Sequence, residues 1–207
     1  MLTDGKPIVY WDACVPLSYI NETTDRLPHI EGIMTEVAQK QEFHLATSVI
    51  SIVEVAWAKM EQDGKILDLD TEARIAKLWQ VGSPIELVEY FEEIGEKAKR
   101  LMRIGMTKGW RLKPLDAIHL ATADHMKVSR FDTYDGALTK YEEITETHFP
   151  IVEPNASQPV LALTAPLPVV ATPTEAPVEA AVEELASYPV RSIRKIQFPE
   201  DESETSE

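Results

Sequence analysis

The chain carries a single cysteine, Cys14, among its 207 residues. An internal disulfide is therefore excluded, as is a zinc site built on several thiolates. A reducing, cytoplasmic setting is the expectation that follows. Long apolar runs are also missing: nothing approaches the roughly 18 uninterrupted apolar residues of a membrane-spanning helix. Residues 1–7 show no basic region followed by an apolar one, so neither a secretory leader nor a membrane partner is expected. Bases are few, 20 Lys and Arg against 35 Asp and Glu, for a formal net charge of −15. That balance excludes a protein that holds nucleic acid through a broad basic surface, because Lys and Arg on phosphates supply most of such affinity. Any nucleic-acid contact has to be local.

Apolar residues make up 44% of the chain, enough for one ordinary domain with something added. Composition breaks near Pro150. Residues 151–207 hold 8 of the 14 prolines and no glycine, and carry 10 acids against 3 bases. Prolines at this density interrupt both helix and sheet. Residues 1–153 are thus expected to form the domain and 154–207 a Pro/Ala/Glu-rich, mostly disordered tail. Within the tail, only Val178 to Leu185 reads as a short helix. A small basic and apolar patch around Arg191, Arg194 and Lys195 precedes an acidic end.

The domain alternates strand and helix patterns. Ile8-Val9-Tyr10-Trp11, Phe43 to Thr47, Ile85 to Val88, Arg130 to Thr133 and Ile151-Val152 read as strands. Between them lie a helix with Pro16 near its start and one from Pro28 to Lys40 with Ile30, Ile33, Met34 and Val37 on one face. Ser48 or Ser51 is expected to cap a helix through Met60, with Ser51 and Glu54 spaced as a capping box. Asp70 or Thr71 is expected to cap another through about Val81, and further helices cover Tyr90 to Thr107 and Leu115 to Met126. Such alternation with short links predicts a three-layer α/β domain with a mostly parallel sheet.

Four acids sit where solvated charges usually do not. Asp12 ends an apolar strand, Glu54 lies between Val53 and Val55, Asp116 opens an apolar helix after Pro114-Leu115, and Asp135 follows the fourth strand. In a parallel sheet the carboxyl ends of strands gather at one edge, so these acids are expected to share a crevice. Carboxylates gathered there repel one another unless a cation neutralises them, and oxygen-only ligands select Mg²⁺ or Mn²⁺. Such a metal activates water and stabilises charge on a phosphodiester, which is nuclease chemistry. Each acid also has an ordinary structural role open to it. Asp12 can cap a helix, Glu54 can close a capping box, Asp116 can match a helix dipole and Asp135 can shape the Tyr-Asp-Gly turn.

Ile8-Val9-Tyr10-Trp11-Asp12 with Ala13 and Leu17, the helix opening from Ser48 to Glu54, Leu115-Asp116-Ala117-Ile118-His119-Leu120-Ala121-Thr122-Ala123, and Thr133-Tyr134-Asp135 with Leu138 together resemble the PIN domain over about residues 7–152. The third segment is the most specific. The likeness is greatest to toxin ribonucleases of the virulence-associated-protein-C (VapC) type. It implies an α/β/α sandwich with an about five-stranded, mostly parallel sheet and Mg²⁺- or Mn²⁺-dependent cleavage of RNA by water. It assigns Asp12, Glu54, Asp116 and Asp135 as the catalytic and metal-holding set, with the Thr133 hydroxyl supporting the fourth acid. It further implies a homodimer and, for a toxin, an antitoxin partner. Two features depart from the family pattern: Asp132 adds a neighbouring acid beside Asp135, and the chain is longer than a typical toxin of this kind.

Outside that set, His119 lies one turn beyond Asp116, as a supporting group or as a packed core residue. Cys14 reads as a small buried residue, since no base is placed to activate it. Lys97, Lys99, Arg100, Arg103, Lys108, Arg111 and Lys113 form a cationic stretch with no acid within it, enclosing Trp110. It reads either as a solvated helix face or as a phosphate-contacting strip with Trp110 free to stack on an unpaired base. Two functions follow: a metal-dependent endoribonuclease, or a catalytically silent module of the same fold that recruits a protein or RNA partner through its tail.

Overall fold

A computed structural model describes residues 4–157; the expectations for the tail from residue 158 lie outside the described residues. Five strands, β1 (Ile8–Trp11), β2 (His44–Ser48), β3 (Ile85–Val88), β4 (Arg130–Asp132) and β5 (Ile151–Val152), form one sheet in the order β3-β2-β1-β4-β5. Every pairing is parallel, with Tyr10 opposite Ala46 on one side and Phe131 on the other. The helices are α1 (Cys14–Ile20), α2 (Leu27–Lys40), α3 (Ser51–Glu54), α4 (Lys59–Gly64), α5 (Leu69–Trp79), α6 (Glu92–Thr107) and α7 (Pro114–His125), and a 3-10 segment spans Gly136–Ile144.

Side chains alternate across each strand, and the alternation divides the interior. Val9, Trp11, Leu45 and Ile85 join Ile30 and Ile33 of α2 and Ile75 and Leu78 of α5 in one apolar layer. Tyr10, Ala46, Val88, Phe131 and Ile151 face the opposite way onto Ile94 and Leu101 of α6 and Leu120 of α7. Small residues Ala117, Ala121 and Ala123 let α7 sit close to its neighbours, all three being fully buried. The expected α/β/α sandwich with a five-stranded parallel sheet is thus the observed fold. Among the described residues no helix is long and apolar enough to cross a membrane.

Three local expectations are corrected. The helix expected through Met60 stops at Glu54: Val55 leaves helical geometry (φ −106°, ψ 43°) and is fully buried. A second helix, α4, then starts where Glu61 Oε2 accepts the Ala58 N–H at 2.8 Å; Glu61 Oε1 takes the Asp68 N–H at 2.7 Å. The Ser51–Glu54 capping box is absent. Ser51 is already helical, its hydroxyl hydrogen-bonded to Thr47 Oγ1 at 2.7 Å, and Glu54 is directed elsewhere. The cap of α5 is Asp68, which accepts the Thr71 N–H at 2.8 Å; Asp70 and Thr71 lie in its first turn, and the helix ends at Trp79.

From β1 the chain winds outward through β2 to β3, and then crosses back to add β4 on the other side of β1. The strand order reverses between β1 and β4. That reversal opens a crevice beyond their carboxyl ends, where open α/β sheets place their ligands. Asp12 directly follows β1, and Thr133, Tyr134 and Asp135 directly follow β4.

Candidate active site

Asp12 is 7% exposed and firmly held. Its Oδ1 accepts the Ala13 N–H at 2.8 Å, and its Oδ2 accepts the Thr133 hydroxyl at 2.9 Å. Cys14 Sγ lies 3.1 Å from the same Oδ2, 3.2 Å from Thr133 Oγ1, and accepts the Tyr134 N–H at 3.2 Å. Burial first, and then the Asp12 charge, push the Cys14 thiol up to about 12, so it is a hydrogen-bonding spacer and no nucleophile. Thr133 bridges the two strand ends. Its oxygen also accepts the Asp135 N–H at 3.0 Å, so the hydroxyl expected to support the fourth acid supports the first acid's carboxylate and only the backbone of the fourth.

Glu54 reaches the crevice from the end of α3. Its Oε2 lies 2.7 Å from Nε2 of His119, which is fully buried on α7 and also 3.9 Å from Asp12 Oδ1. On the other side of the ring, Nδ1 meets the Tyr10 hydroxyl at 2.8 Å, and that oxygen accepts the Ser48 N–H at 3.0 Å. Burial raises the Tyr10 phenol well above its ordinary range, which keeps its proton in place. With Tyr10 donating to Nδ1, the ring's Nε2–H donates to Glu54. His119 is therefore both of the things its position allowed, a core residue and a support for Glu54. Tyr10 had no sequence signal beyond its place in a buried strand.

Asp116 sits in the first turn of α7, with Asp135 capping the 3-10 segment through the Ala137 N–H at 2.9 Å. Burial raises the Asp116 carboxyl above its ordinary range; Lys113 opposes the shift, and the charges of Asp12 and Asp135 add to it. Asp116 thus feels two of the other three predicted acids. No Lys or Arg of the described residues forms an ion pair with Asp12, Glu54, Asp116 or Asp135. Among the described residues, however, no three His, Cys, Asp or Glu side chains close together tightly enough to enclose an ion by direct contact. Asp132 is set apart. It is fully buried and accepts from Arg130 at 2.6 and 3.0 Å and from the Trp11 indole at 3.2 Å, on the Trp11 face of the sheet.

The cationic stretch divides in two. Lys97 pairs with Asp124 and Glu146, Lys99 with Glu96, Arg100 with Glu146 and Lys108 with Glu143. These are structural pairs. Arg103, Arg111 and Lys113 enter no ion pair among the described residues, and Lys113 lies near enough to act on Asp116. Trp110 is half-buried, edge-on to Tyr141 with centroids 5.6 Å apart, and Lys108 and Lys140 lie over its ring at 4.9 and 5.8 Å. It is packed against the core more than it is presented as an open stacking platform.

A doubly wound parallel sheet with acids following its central strands defines an α/β domain whose ligand crevice lies at the switch point between β1 and β4. The family model that matches this chain is the PIN domain, over residues 9–144, and the chain belongs to that family. No curated protein matches it in sequence. In structure it is similar to VapBC2 from Rickettsia felis bound to a DNA fragment from their promoter, at 16% identity and a TM-score of 0.50, covering 70% of this chain and 97% of that one. It is also similar to VapC20 of Mycobacterium tuberculosis, a sarcin-ricin loop cleaving toxin, at 13% identity and a TM-score of 0.46, covering 62% and 90%. A DNA-bound VapBC from Salmonella typhimurium gives 14% identity and a TM-score of 0.48 over 70% and 96%. At these identities the likeness is one of fold.

Proposed function

We propose that this chain is a metal-dependent endoribonuclease that hydrolyses RNA phosphodiester bonds at the crevice between β1 and β4. The observation that carries the reading is Asp116: half-buried, without an ion-pair partner, and raised further by Asp12 and Asp135. A protein has little reason to hold three mutually repelling carboxylates at one sheet edge unless a cation joins them. The donor set is oxygen-only and open, which fits Mg²⁺ or Mn²⁺, ions that keep several waters and touch few carboxylates directly. When bound, such an ion supplies charge stabilisation for the phosphodiester and a lowered pKa for attacking water. The chain's own residues do the rest. Asp12, Asp116 and Asp135 would hold the ion in part through its waters, Glu54 would orient a water beside it, and His119 with Tyr10 fixes Glu54. Arg103, Arg111 and Lys113 bind flanking phosphates.

A protein partner belongs to the same proposal, because Ile52, Val53, Trp57 and Met60 are exposed beside Glu54 and Leu115 is exposed beside Asp116. Large apolar side chains around an acidic crevice suit a partner segment that covers them, as an antitoxin would, or a second copy of the chain. The test is cleavage of labelled single-stranded and structured RNA with Mn²⁺, Mg²⁺ or EDTA, comparing wild type with Asp12→Asn and Asp116→Asn. Metal-dependent cutting lost in both variants is expected. No cutting by a folded protein that binds Mn²⁺ in calorimetry would favour the silent binding module.

A further inference from the structure

A second concavity lies at the same sheet edge, on the far side of Cys14 from the acids. It has a volume of about 440 Å³ and is lined by Asp25 and Arg26 from the α1–α2 loop, His29 of α2, Tyr134 after β4, and Glu153 and Asn155 after β5. Its link to the crevice is direct: Cys14 Sγ stands between Asp12 Oδ2 at 3.1 Å and the Tyr134 N–H at 3.2 Å. Two of the lining side chains carry buried polar atoms, Tyr134 Oη and His29 Nδ1, with no hydrogen-bond partner among the described residues. Folded proteins rarely leave such atoms unmatched, since each costs about 1–3 kcal/mol. Arg26 is fixed in position: one guanidinium nitrogen donates to Ser18 Oγ at 3.0 Å, and the group lies over the Tyr134 ring at 4.1 Å.

The charges decide what fits. Two carboxylates, Asp25 and Glu153, argue against a second phosphate. They are acceptors only, whereas Arg26 and the Tyr134 hydroxyl are donors. The complementary ligand presents adjacent N–H donors on one edge and carbonyl or ring-nitrogen acceptors on another, with a flat face for the guanidinium plane. Of the nucleobases, guanine has that pattern: its N1–H and N2–H₂ suit a carboxylate, and its O6 and N7 suit Arg. RNA bases unstacked from a single strand are commonly read in this way, on Arg planes and by their edges.

We propose that this cavity is a base-recognition subsite that takes an unpaired guanine one or two nucleotides from the scissile phosphate. The assignment rests on the nuclease reading for the word scissile, though base binding itself does not need it. Cys14 Sγ touches both Asp12 and the Tyr134 backbone, so the cavity adjoins the acids closely enough for a nucleotide next to the one at the crevice to enter it. Arg26 and Tyr134 are then specificity-determining residues, separate from the acids.

The full-length protein in EDTA is titrated with the four nucleoside 5′-monophosphates, followed by amide and side-chain NMR shifts. Guanosine 5′-monophosphate is expected to bind at least about tenfold more tightly than the others. Its shifts should centre on residues 25–29, 134 and 153–155. Tyr134→Phe, Arg26→Gln and a Asp25→Asn/Glu153→Gln double variant should each remove most of that preference, and the exposed acid pair keeps the test valid if Arg26→Gln fails to fold. Equal binding of the four nucleotides, or shifts confined to the acid crevice, overturns the subsite. Cleavage of a random-sequence RNA pool separates the two proposals. Guanine selectivity in binding without any metal-dependent cutting overturns the nuclease reading alone; cutting with no guanine enrichment near the cut, unchanged by Tyr134→Phe, overturns the subsite alone.

Discussion

Asp132 and Asp135 are three residues apart and of the same chemical type, yet opposite phenotypes follow from their surroundings. Asp132→Ala removes the acceptor for two Arg130 hydrogen bonds and for the Trp11 indole N–H. Breaking a buried ion pair from one side costs about 3–5 kcal/mol. The Arg130 side chain is 31% exposed and recovers some water, which places its share below that range. Trp11 is fully buried, and its stranded N–H adds about 1–3 kcal/mol. The total is about 4 kcal/mol, or a fall in Tm of about 8–16 °C for a domain of this size. Asp132→Asn retains an acceptor oxygen and discards a charge that burial already disfavours, so it should cost far less. Asp135→Ala gives up one cap, about 1 kcal/mol, and should abolish Mn²⁺-dependent RNA cleavage. Thermal unfolding by circular dichroism in EDTA, beside the cleavage assay, reads both. An Asp132→Ala protein melting within about 3 °C of wild type, or an Asp135→Ala protein melting below the Asp132→Ala protein, would refute the reasoning.

The Asp116 carboxyl titrates higher in the fold than in the unfolded chain, so the fold gains stability as pH drops through that raised value and is penalised above it. Asp116→Asn should therefore raise the metal-free Tm at pH 7 by up to about 3 °C after allowance for solvent screening, and the gain should vanish in acid; a less stable variant at pH 7 contradicts this. Tyr10→Phe leaves the Ser48 N–H and His119 Nδ1 without their partner, at about 1–3 kcal/mol in urea unfolding, and should lower cleavage by loosening Glu54. Thr133→Val removes the donor to Asp12 and the acceptor of the Asp135 N–H together, so Mn²⁺ affinity in calorimetry should drop about 10–100-fold; unchanged affinity would detach Thr133 from the site. Cys14, with its thiol pushed up to about 12, should react with iodoacetamide at pH 8 only after denaturation, as mass spectrometry of the native and unfolded protein would show.

The strands and long helices were legible because each buries a face, and a period of two or 3.6 in apolar residues survives in one dimension. The acids at strand and helix ends were legible for a related reason: Asp12 interrupts an apolar run that burial alone would have continued. The break after Glu54 was not. Ser51, Val55 and Ala58 fall at i, i+4 and i+7 as on one helix face, and only the tertiary position of Val55 in the core and the long reach of Glu61 to Ala58 and Asp68 decide against a continuous helix. Asp68, Asp70 and Thr71 are each good helix-starting residues by type, so local preference offered no choice among them. The partnership of Thr133 with Asp12, and of His119 with Tyr10 and Glu54, joins residues more than 60 positions apart. Such pairings leave no periodic trace.

The hydrogen bonds around Asp12 divide its two oxygens. Oδ2 accepts from Thr133 and lies against the Cys14 thiol, while Oδ1 accepts a single backbone N–H from Ala13. A carboxylate oxygen has two lone-pair directions, so the unfilled capacity of Asp12 is on Oδ1, the oxygen that also faces His119 at 3.9 Å. Glu54 is engaged through Oε2, which leaves Oε1 without a protein donor among the described residues. Glu54 thus keeps one oxygen untied, and Asp12 keeps the second lone-pair direction of Oδ1. The tied oxygens are held by neutral donors, a hydroxyl, a thiol and backbone amides, with His119 contributing through its ring proton. Neutral donors fix the direction of a carboxylate without cancelling its charge, which a Lys or Arg would do. The arrangement therefore conserves negative potential at the crevice while removing conformational freedom from the groups that carry it. A purely structural carboxylate such as Asp132 is treated in the opposite way, capped by a guanidinium and sealed from solvent. The contrast between these two acids, at the ends of adjacent strands of one sheet, separates a charge left without a cationic partner at the crevice from a charge neutralised to hold the fold.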